Sequence, residues 1–459
     1  MATCTETLPV VTVAPMATPA PTTMGRQLLG GATNPAEEER WRLQERMPPS
    51  VSLNLIYLLL ILLVLNVEIV VPTADQYAKR LGASESFSGL VIALTPFFQG
   101  IIGVPLNYVM LSRNVSMKSI IIIMVAGSVV GNVLYALAGL MHSKVAILAS
   151  RTMIGICQCQ LAGPIYIARA VGVKKRTKVM FLYSTMSAVA FFGAPLIASL
   201  LEIFVKELRI EDLVLDSDTI PGWFMAALYF VYMLLIVFLF EDPVDAPQSP
   251  ASAASASDAA GEKPTESLWR PGFLICLVAS FVSPMTTTMC IVFFVKLAEK
   301  VWDLSVSATG LWLAGAMVVV AVMSFLSSFV TPYVEDRRGL LFSSLLACIS
   351  ATLTFHLGHE WTTASITIFV VGFLLMQSCS GVVKNYGYAL APKIVAPHLK
   401  DAAGTVNMIV LQLGRGTGAQ LGAVMNATSF AASQVGSYML LAILVSIFSN
   451  QLKTHAKAL

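Results

Sequence analysis

Four ionisable side chains interrupt long apolar stretches of this 459-residue chain, and they are its first candidates for chemistry. They are Glu68, Arg151, Lys384 and Arg415. Charge is costly inside hydrocarbon, so residues of this kind usually line a polar cavity, where they bind ligands, pair or relay protons. Burial disfavours the charged form of a carboxyl group, which makes Glu68 a candidate proton carrier. A guanidinium keeps its proton, so Arg415 requires a carboxylate, a carbonyl or an anionic ligand.

Each of these residues also has a structural interpretation. Glu68 and Arg415 could form a buried ion pair with each other. Arg151 could brace neighbouring helices as readily as bind a substrate. Lys384 is expected at the cytoplasmic end of its apolar run, from which its long side chain could reach the membrane surface.

Glutamines accompany the charged residues in two of the same stretches. Gln412 precedes Arg415 by three residues and therefore lies on the same helix face, while Gln420 follows in the same run. No histidine accompanies the cysteines at a zinc-ligand spacing, and no Walker-type or H-E-x-x-H motif occurs, so we expect no metal, no cofactor and no enzyme activity. The predicted substrate-binding or coupling residues are Glu68, Arg151, Gln160, Lys384, Gln412, Arg415 and Gln420.

The elements that must position these side chains are membrane-spanning helices. Of all residues 56% are hydrophobic and 12% are charged, against roughly 25% charged in a soluble domain. Apolar runs of about 20 residues are long enough to cross a bilayer. We therefore predict an all-α, polytopic membrane protein with about twelve spans: 53–72, 86–109, 119–141, 145–168, 179–203, 221–240, 272–295, 306–333, 340–358, 362–384, 402–425 and 433–451.

A polar segment divides these spans into two sets of six. It is rich in Ala, Ser and Pro, as flexible linkers are. The predicted organisation is a disordered cytosolic tail (1–50), an N-terminal six-helix half (51–241), a flexible cytosolic linker (242–270) and a C-terminal six-helix half (271–459).

Lysine and arginine are distributed unequally over the two faces that an even number of spans defines. The face that holds both termini and the linker has 19 of them, and the opposite face has seven. Basic residues close to span ends are retained in the cytosol. We therefore predict a multi-pass integral membrane protein with both termini cytosolic. The basic residues give no sign of a nucleic-acid-binding surface, because almost all of them lie in loops and tails.

Two short segments carry a first resemblance to known transporters. The turn after the eighth span reads Glu335-Asp336-Arg337-Arg338-Gly339, which resembles the G-x-x-x-D-R-x-G signature of the major facilitator superfamily. The corresponding turn of the first half, Asn107 to Lys118, keeps Arg113 and Lys118 but lacks the acidic residue.

Two segments after span one carry a more specific resemblance: Val70 to Tyr77 contains V-P-T-A-D-Q-Y, and Leu81 to Ala83 reads L-G-A. They are similar to segments in the same place in the SPX-type vacuolar phosphate transporters. The chain departs from that family in two respects. Its first 50 residues are too short and too poor in lysine for an SPX domain, and Gln160, Pro164 and Gln420 stand where the family has basic residues. The matching segments are Val70 to Tyr77, Leu81 to Ala83, Arg151 to Gly155, Pro221 to Trp223 and Gly416 to Ala419.

These observations predict a secondary active transporter that moves a small solute by alternating access. The intramembrane carboxyl of Glu68 predicts proton coupling, and Arg415 predicts attraction of an anionic group on the substrate. The resemblance implies inorganic phosphate as the first cargo to test, with organic anions or small amphiphilic molecules as alternatives, and it favours a vacuolar or lysosome-like membrane. The expected partners are the small-molecule substrate and the lipid bilayer, with function as a monomer and no nucleic acid. A transporter-like receptor or scaffold that binds without transport is the alternative.

Overall fold

The computed structural model describes residues 45–111, 115–158, 160–204, 208–210, 213–215, 218–243, 268–330, 333–358, 362–396 and 399–452. Within these ranges the protein is a bundle of long apolar helices. Arg113, part of the first-half turn, and residues 244–267 of the predicted linker lie outside the described residues.

In its described residues the first half contains eight helices and one short hairpin. The helices are α1 (Ser50–Glu68), α2 (Ala74–Arg80), α3 (Glu85–Leu111), α4 (Met117–Leu137), α5 (Lys144–Ile156), α6 (Ala162–Ala170), α7 (Val173–Phe204) and α8 (Ile220–Leu239). The antiparallel hairpin pairs β1 (Leu208–Ile210) with β2 (Leu213–Leu215).

The part of the second half that the structure describes contains six α-helices. They are α9 (Pro271–Lys300), α10 (Val306–Val330), α11 (Asp336–Thr352), α12 (Thr363–Ile394), α13 (Lys400–Val424) and α14 (Ala427–Ile447). Short 3-10 segments, Leu353–Gly358 and Ser449–Leu452, follow α11 and α14.

Ten of the described helices are long and apolar enough to cross a membrane. The other two predicted spans differ for physical reasons. Span four is divided into α5 and α6, each too short to cross alone. Span eleven is α13, whose apolar character is lowered by Gln412, Arg415 and Gln420. The predicted plan of about twelve helices in an all-α membrane protein is confirmed, with the hairpin as a small addition.

Two hydrophobic cores divide the bundle. One consists of residues between Leu53 and Phe240, and the other is centred on residues between Phe273 and Leu452. Four residues of the first half, Val71, Ala74, Ile92 and Ala93, join the second core. The two sets of helices therefore have separate cores, and they meet mainly where α3 packs on α13 and α7 packs on α10.

Two predicted span limits are wrong in a way that matters for the site. Span four was expected to be continuous over 145–168, but the helix stops at Ile156 and resumes at Ala162. Span ten was expected to end at Lys384, but α12 continues to Ile394. A lysine that faces polar space does not end a helix, and α12 stops just before Pro397, where the residue preceding proline disfavours helical geometry.

Candidate functional site

An ion pair between the two halves is at the centre of the site. Arg415 Nη2 donates a hydrogen bond of 2.6 Å to Glu68 Oε1, and the two side chains are only 10% and 7% exposed. Glu68 is the last residue of α1, whereas Arg415 lies in the middle of α13. The Arg415 guanidinium carbon also lies 4.9 Å from the centre of the Phe191 ring on α7. In this conformation Glu68 and Arg415 therefore form the buried ion pair that was their structural interpretation from sequence.

Arg151 lies completely buried inside the first half. Its Nε donates to the Val91 carbonyl and its Nη1 donates to the Asn66 carbonyl, each at 3.2 Å. Among the described residues its Nη2 has no acceptor. Arg151 also lies within electrostatic range of Glu68. It braces α1, α3 and α5 and keeps one donor free.

Lys384 lies well inside α12 rather than at its end. Ten residues separate it from Ile394, which is about 15 Å of helix. Its ammonium group has no hydrogen-bond or ion-pair partner in the part of the chain that the structure describes, and it lies within electrostatic range of Arg415. The expectation that Lys384 occupies the end of its span is therefore wrong.

A charge imbalance results from this arrangement. Arg415 and Arg151 both lie within electrostatic range of the Glu68 carboxylate, and Lys384 lies within range of Arg415, so three cations are gathered near one carboxylate. The carboxylate is already bound to Arg415. Since an isolated buried charge is strongly unfavourable, the remaining positive charge favours an anionic ligand.

A second polar group lies where span four is interrupted. Gln160 Oε1 accepts hydrogen bonds from Gln99 Nε2 at 2.7 Å and from Gln412 Nε2. Gln158 Nε2 donates to the Leu63 carbonyl at 3.4 Å. These four glutamines, which we call the glutamine layer, line a narrow pocket between α3, the break and α13.

The break in span four has a physical consequence for this pocket. Backbone that is not helical is tolerated at membrane depth only where protein or a polar cavity satisfies it. In transporters, interrupted helices of this kind surround binding sites. Gly163 and Pro164 begin α6 immediately after the break, and Pro164 needs no hydrogen bond in the first turn of a helix.

Sequence reasoning found most but not all of the polar residues gathered here. Gln420 lies apart, because it donates to the Ser86 carbonyl at 3.2 Å towards the opposite end of α13. Gln99 and Gln158 were missed. Their signal was an amide within an apolar run, which is weaker than a charge in the same position.

Most of the chain matches the sequence profile of one protein family. Residues 56–419 match the sequence profile of the Major Facilitator Superfamily. An SPX domain-containing membrane protein of Arabidopsis thaliana is 25% identical over 442 residues, covering 85% of this chain. The match covers 60% of that relative, so the chain spans less than two thirds of its length.

Solved structures show the same fold at low sequence identity. A bacterial homologue of the human lysosomal transporter Spinster, inward-facing and occupied, is 16% identical with a TM-score of 0.63, covering 88% of this chain and 96% of its own. A D-xylose-proton symporter is 13% identical with a TM-score of 0.65 and the same coverage, 88% and 96%. These neighbours are transporters rather than enzymes.

Proposed function

The chain belongs to the major facilitator superfamily and is a secondary transporter of a small molecule, and from that premise we propose that its cargo is a small anion. It is a multi-pass integral membrane protein and not an enzyme. The observation that carries the proposal is the charge imbalance at the centre of the bundle. Glu68 neutralises Arg415, while Arg151 Nη2 and the Lys384 ammonium lack acceptors among the described residues.

The anion is proposed to bind between Arg415 and Lys384. These two cations are on different helices of the second half, α13 and α12, and they lie within electrostatic range of each other. Like charges repel, so an anion between them relieves the repulsion and gains two charge-assisted hydrogen bonds. Arg151, which is held by two backbone carbonyls of the first half, adds long-range attraction.

The ion pair also supports a proposal for proton coupling. In its charged form Glu68 accepts a hydrogen bond from the Arg415 guanidinium, and this competes with binding of the anion to the same group. A proton on Glu68 ends this competition and frees Arg415. Proton and anion therefore bind together and dissociate together, which is the thermodynamic requirement for symport.

Inorganic phosphate is the first cargo to test, because the segments from Val70 to Tyr77 and from Leu81 to Ala83 resemble phosphate transporters. The purified full chain is reconstituted into liposomes, and phosphate uptake is measured with and without an inward proton gradient. We expect saturable uptake that the gradient accelerates. Equal entry into protein-free liposomes would contradict phosphate as the cargo, and a panel of organic anions would then test the anion proposal itself.

Orientation and location are further proposals. The excess of Lys and Arg on the face of the linker supports cytosolic termini, with the linker (242–270) joining two halves (51–241 and 271–459) that rock about the site. The resemblance supports a vacuolar or lysosome-like membrane, and we propose that one monomer carries the complete path. A fluorescent tag on either terminus, tested for accessibility in intact organelles, checks both orientation and location.

A further inference from the structure

The glutamine layer lies next to the charged residues, and the anion site proposed above does not use it. Gln412 precedes Arg415 by three residues on α13, and Gln158 contacts the carbonyl of Leu63, five residues before Glu68 on α1. Along a helix these offsets correspond to about 4.5 and about 7.5 Å. The glutamine layer is therefore about one helical turn from the ion pair, on the side nearer the linker.

Three amide oxygens of the layer lack hydrogen-bond donors. Among the described residues, Oε1 of Gln99, Gln158 and Gln412 has no partner, although the side chains are only 6%, 1% and 1% exposed. A buried acceptor without a donor is unfavourable, and such groups require an explanation in a native structure. Gln99 and Gln412 both face Gln160, so turning these three amides over would let Gln160 Nε2 donate to both of their oxygens. The oxygen of Gln158 therefore carries the argument for a partner that this conformation does not contain.

The orientation of one amide is fixed by its surroundings. Gln158 Nε2 donates to a backbone carbonyl, so turning the amide over would place oxygen against oxygen. Its Oε1 is therefore an acceptor aimed away from that carbonyl. Gln160 differs from the other three, because its Oε1 already receives two hydrogen bonds.

We infer that the cargo carries hydroxyl or amide groups beside its negative charge, and that the glutamine layer binds this neutral part. The inference rests on the proposed anionic cargo and narrows it. Inorganic phosphate carries its one or two hydroxyl groups on the charged group itself, so a phosphate bound at Arg415 does not reach amide oxygens about one helical turn away. A hydroxylated organic anion supplies donors about one helical turn from its charged group, which is the separation of the two sets of residues.

The surrounding helices are closed over the glutamine layer in this conformation. Asn107 Nδ2 donates to Thr405 Oγ1 at 2.8 Å on the linker side of α3 and α13. Towards the opposite end, a Cβ added at Gly89 would lie 2.6 Å from the Ala423 Cβ. The unpartnered oxygens therefore obtain donors only when the two helices separate, and either cargo or water supplies them.

Calorimetry of ligand binding to the purified full chain tests whether the cargo, rather than water, supplies donors to the amide oxygens. The probes are methyl phosphate, which has the charge alone, and glycerol 3-phosphate, which adds two hydroxyl groups. We expect glycerol 3-phosphate to bind at least tenfold more tightly. The Gln158→Met variant should lose that difference and bind both probes as the wild type binds methyl phosphate.

Gln434 offers a matched control. It is fully buried, its Nε2 donates to the Thr286 carbonyl at 3.2 Å and its Oε1 has no donor, but it does not line the pocket. The Gln434→Met variant should keep the tenfold preference. Equal affinity of the wild type for both probes, or equal weakening of both by Gln158→Met, would overturn the inference while leaving the anion proposal intact. Failure of both probes to bind would overturn the two together.

Discussion

At the scale of single residues, the pairing of Glu68 with Arg415 determines how a proton and an anion could be linked. Replacing Glu68 by Gln removes the charge that competes for Arg415 while keeping the size of the side chain. We expect Glu68→Gln to bind phosphate as well at high pH as at low pH, and its uptake to lose the response to a proton gradient. Phosphate itself changes protonation state between low and high pH. The pH dependence of phosphate binding by the variant is therefore compared with that of the wild type.

Asp218 supplies the control for that experiment. It is a buried carboxylate outside the predicted spans, and its Oδ2 lies 3.5 Å from Arg80 Nη1. Burial raises the pKa of Asp218, and Arg80 opposes the shift. The Asp218→Asn variant should keep a gradient-dependent uptake. If Glu68→Gln still responds to the gradient like the wild type, the proposed role of Glu68 is wrong.

Lys384 carries the second prediction at this scale. Because it has no partner among the described residues, Lys384→Met should not lower the melting temperature of the purified protein. A charge-assisted hydrogen bond contributes about 2 kcal/mol, so phosphate affinity should fall about thirtyfold. Titration calorimetry and thermal unfolding measure the two quantities on the same sample.

A lysine on the same helix distinguishes a local effect from a general loss of positive charge. Lys393 is half exposed, and its Nζ lies 2.5 Å from Asp336 Oδ2. Exposed pairs of this kind contribute little to stability. Lys393→Met should therefore leave phosphate affinity unchanged. A similar loss of affinity in both variants would contradict a specific site at Lys384.

The charged residues could be recognised from sequence because a charge within an apolar run is visible in one dimension. The residues with which they pair could not be recognised in the same way. Glu68 and Arg415 are 347 positions apart, and only the fold, in which α13 packs on α3 and α9, brings them together. The importance of Gln158 depends on an unpartnered oxygen, which is a property of three-dimensional contacts.

At the scale of helices, small residues allow α13 to pack very closely on α9. A Cβ added at Gly414, Gly418 or Gly422 would lie 2.4, 2.1 or 2.5 Å from a backbone carbonyl of α9. These carbonyl oxygens belong to a helix backbone and cannot move aside independently. These glycines repeat every four residues, a spacing that predicts close helix packing. The two helices that they bring together, α9 and α13, belong to the same half.

Gly418→Ala should consequently destabilise the protein. Overpacking of a tight interface costs about 1–3 kcal/mol, so the melting temperature in detergent should fall. Gly436, in α14, has open space around its added Cβ, and alanine favours a helix interior by about 0.5–1 kcal/mol. Gly436→Ala should therefore raise the melting temperature. A stable Gly418→Ala protein would contradict the close contact between α9 and α13.

The helices themselves were largely predictable, because apolar runs of membrane length are a strong signal. The exceptions were the interruptions at the site. The break between Ile156 and Ala162 is not visible in hydropathy, since Gln158 and Gln160 are diluted by apolar neighbours. The extension of α12 beyond Lys384 was missed because the hydropathy pattern stops at a charge, whereas a helix that faces a polar cavity does not.

At the scale of the whole molecule, α3 and α13 form a long contact between the two halves. Near the linker it includes the hydrogen bond from Asn107 to Thr405, and further along α3 it includes the small residues Gly100 and Gly103. A Cβ at Gly100 would lie 3.4 Å from the Gln412 Cβ, so the glutamine layer is enclosed by the same interface. Rocking of the halves requires this contact to open on one side at a time.

A reversible cross-link between Asn107→Cys and Thr405→Cys tests that requirement directly. The two native side chains are 2.8 Å apart at their polar atoms, so a short methanethiosulfonate cross-linker can span the introduced thiols. We expect the cross-linked protein in liposomes to lose phosphate uptake, because the linker side of α3 can no longer leave α13. Reductant should restore uptake, and each single cysteine variant treated with the same reagent should transport throughout. Since the native cysteines described at positions 157, 276, 290, 348 and 379 remain in all three proteins, they cannot account for a loss that only the double variant shows. Uptake that persists after complete cross-linking would mean that the halves do not separate at this end of the bundle.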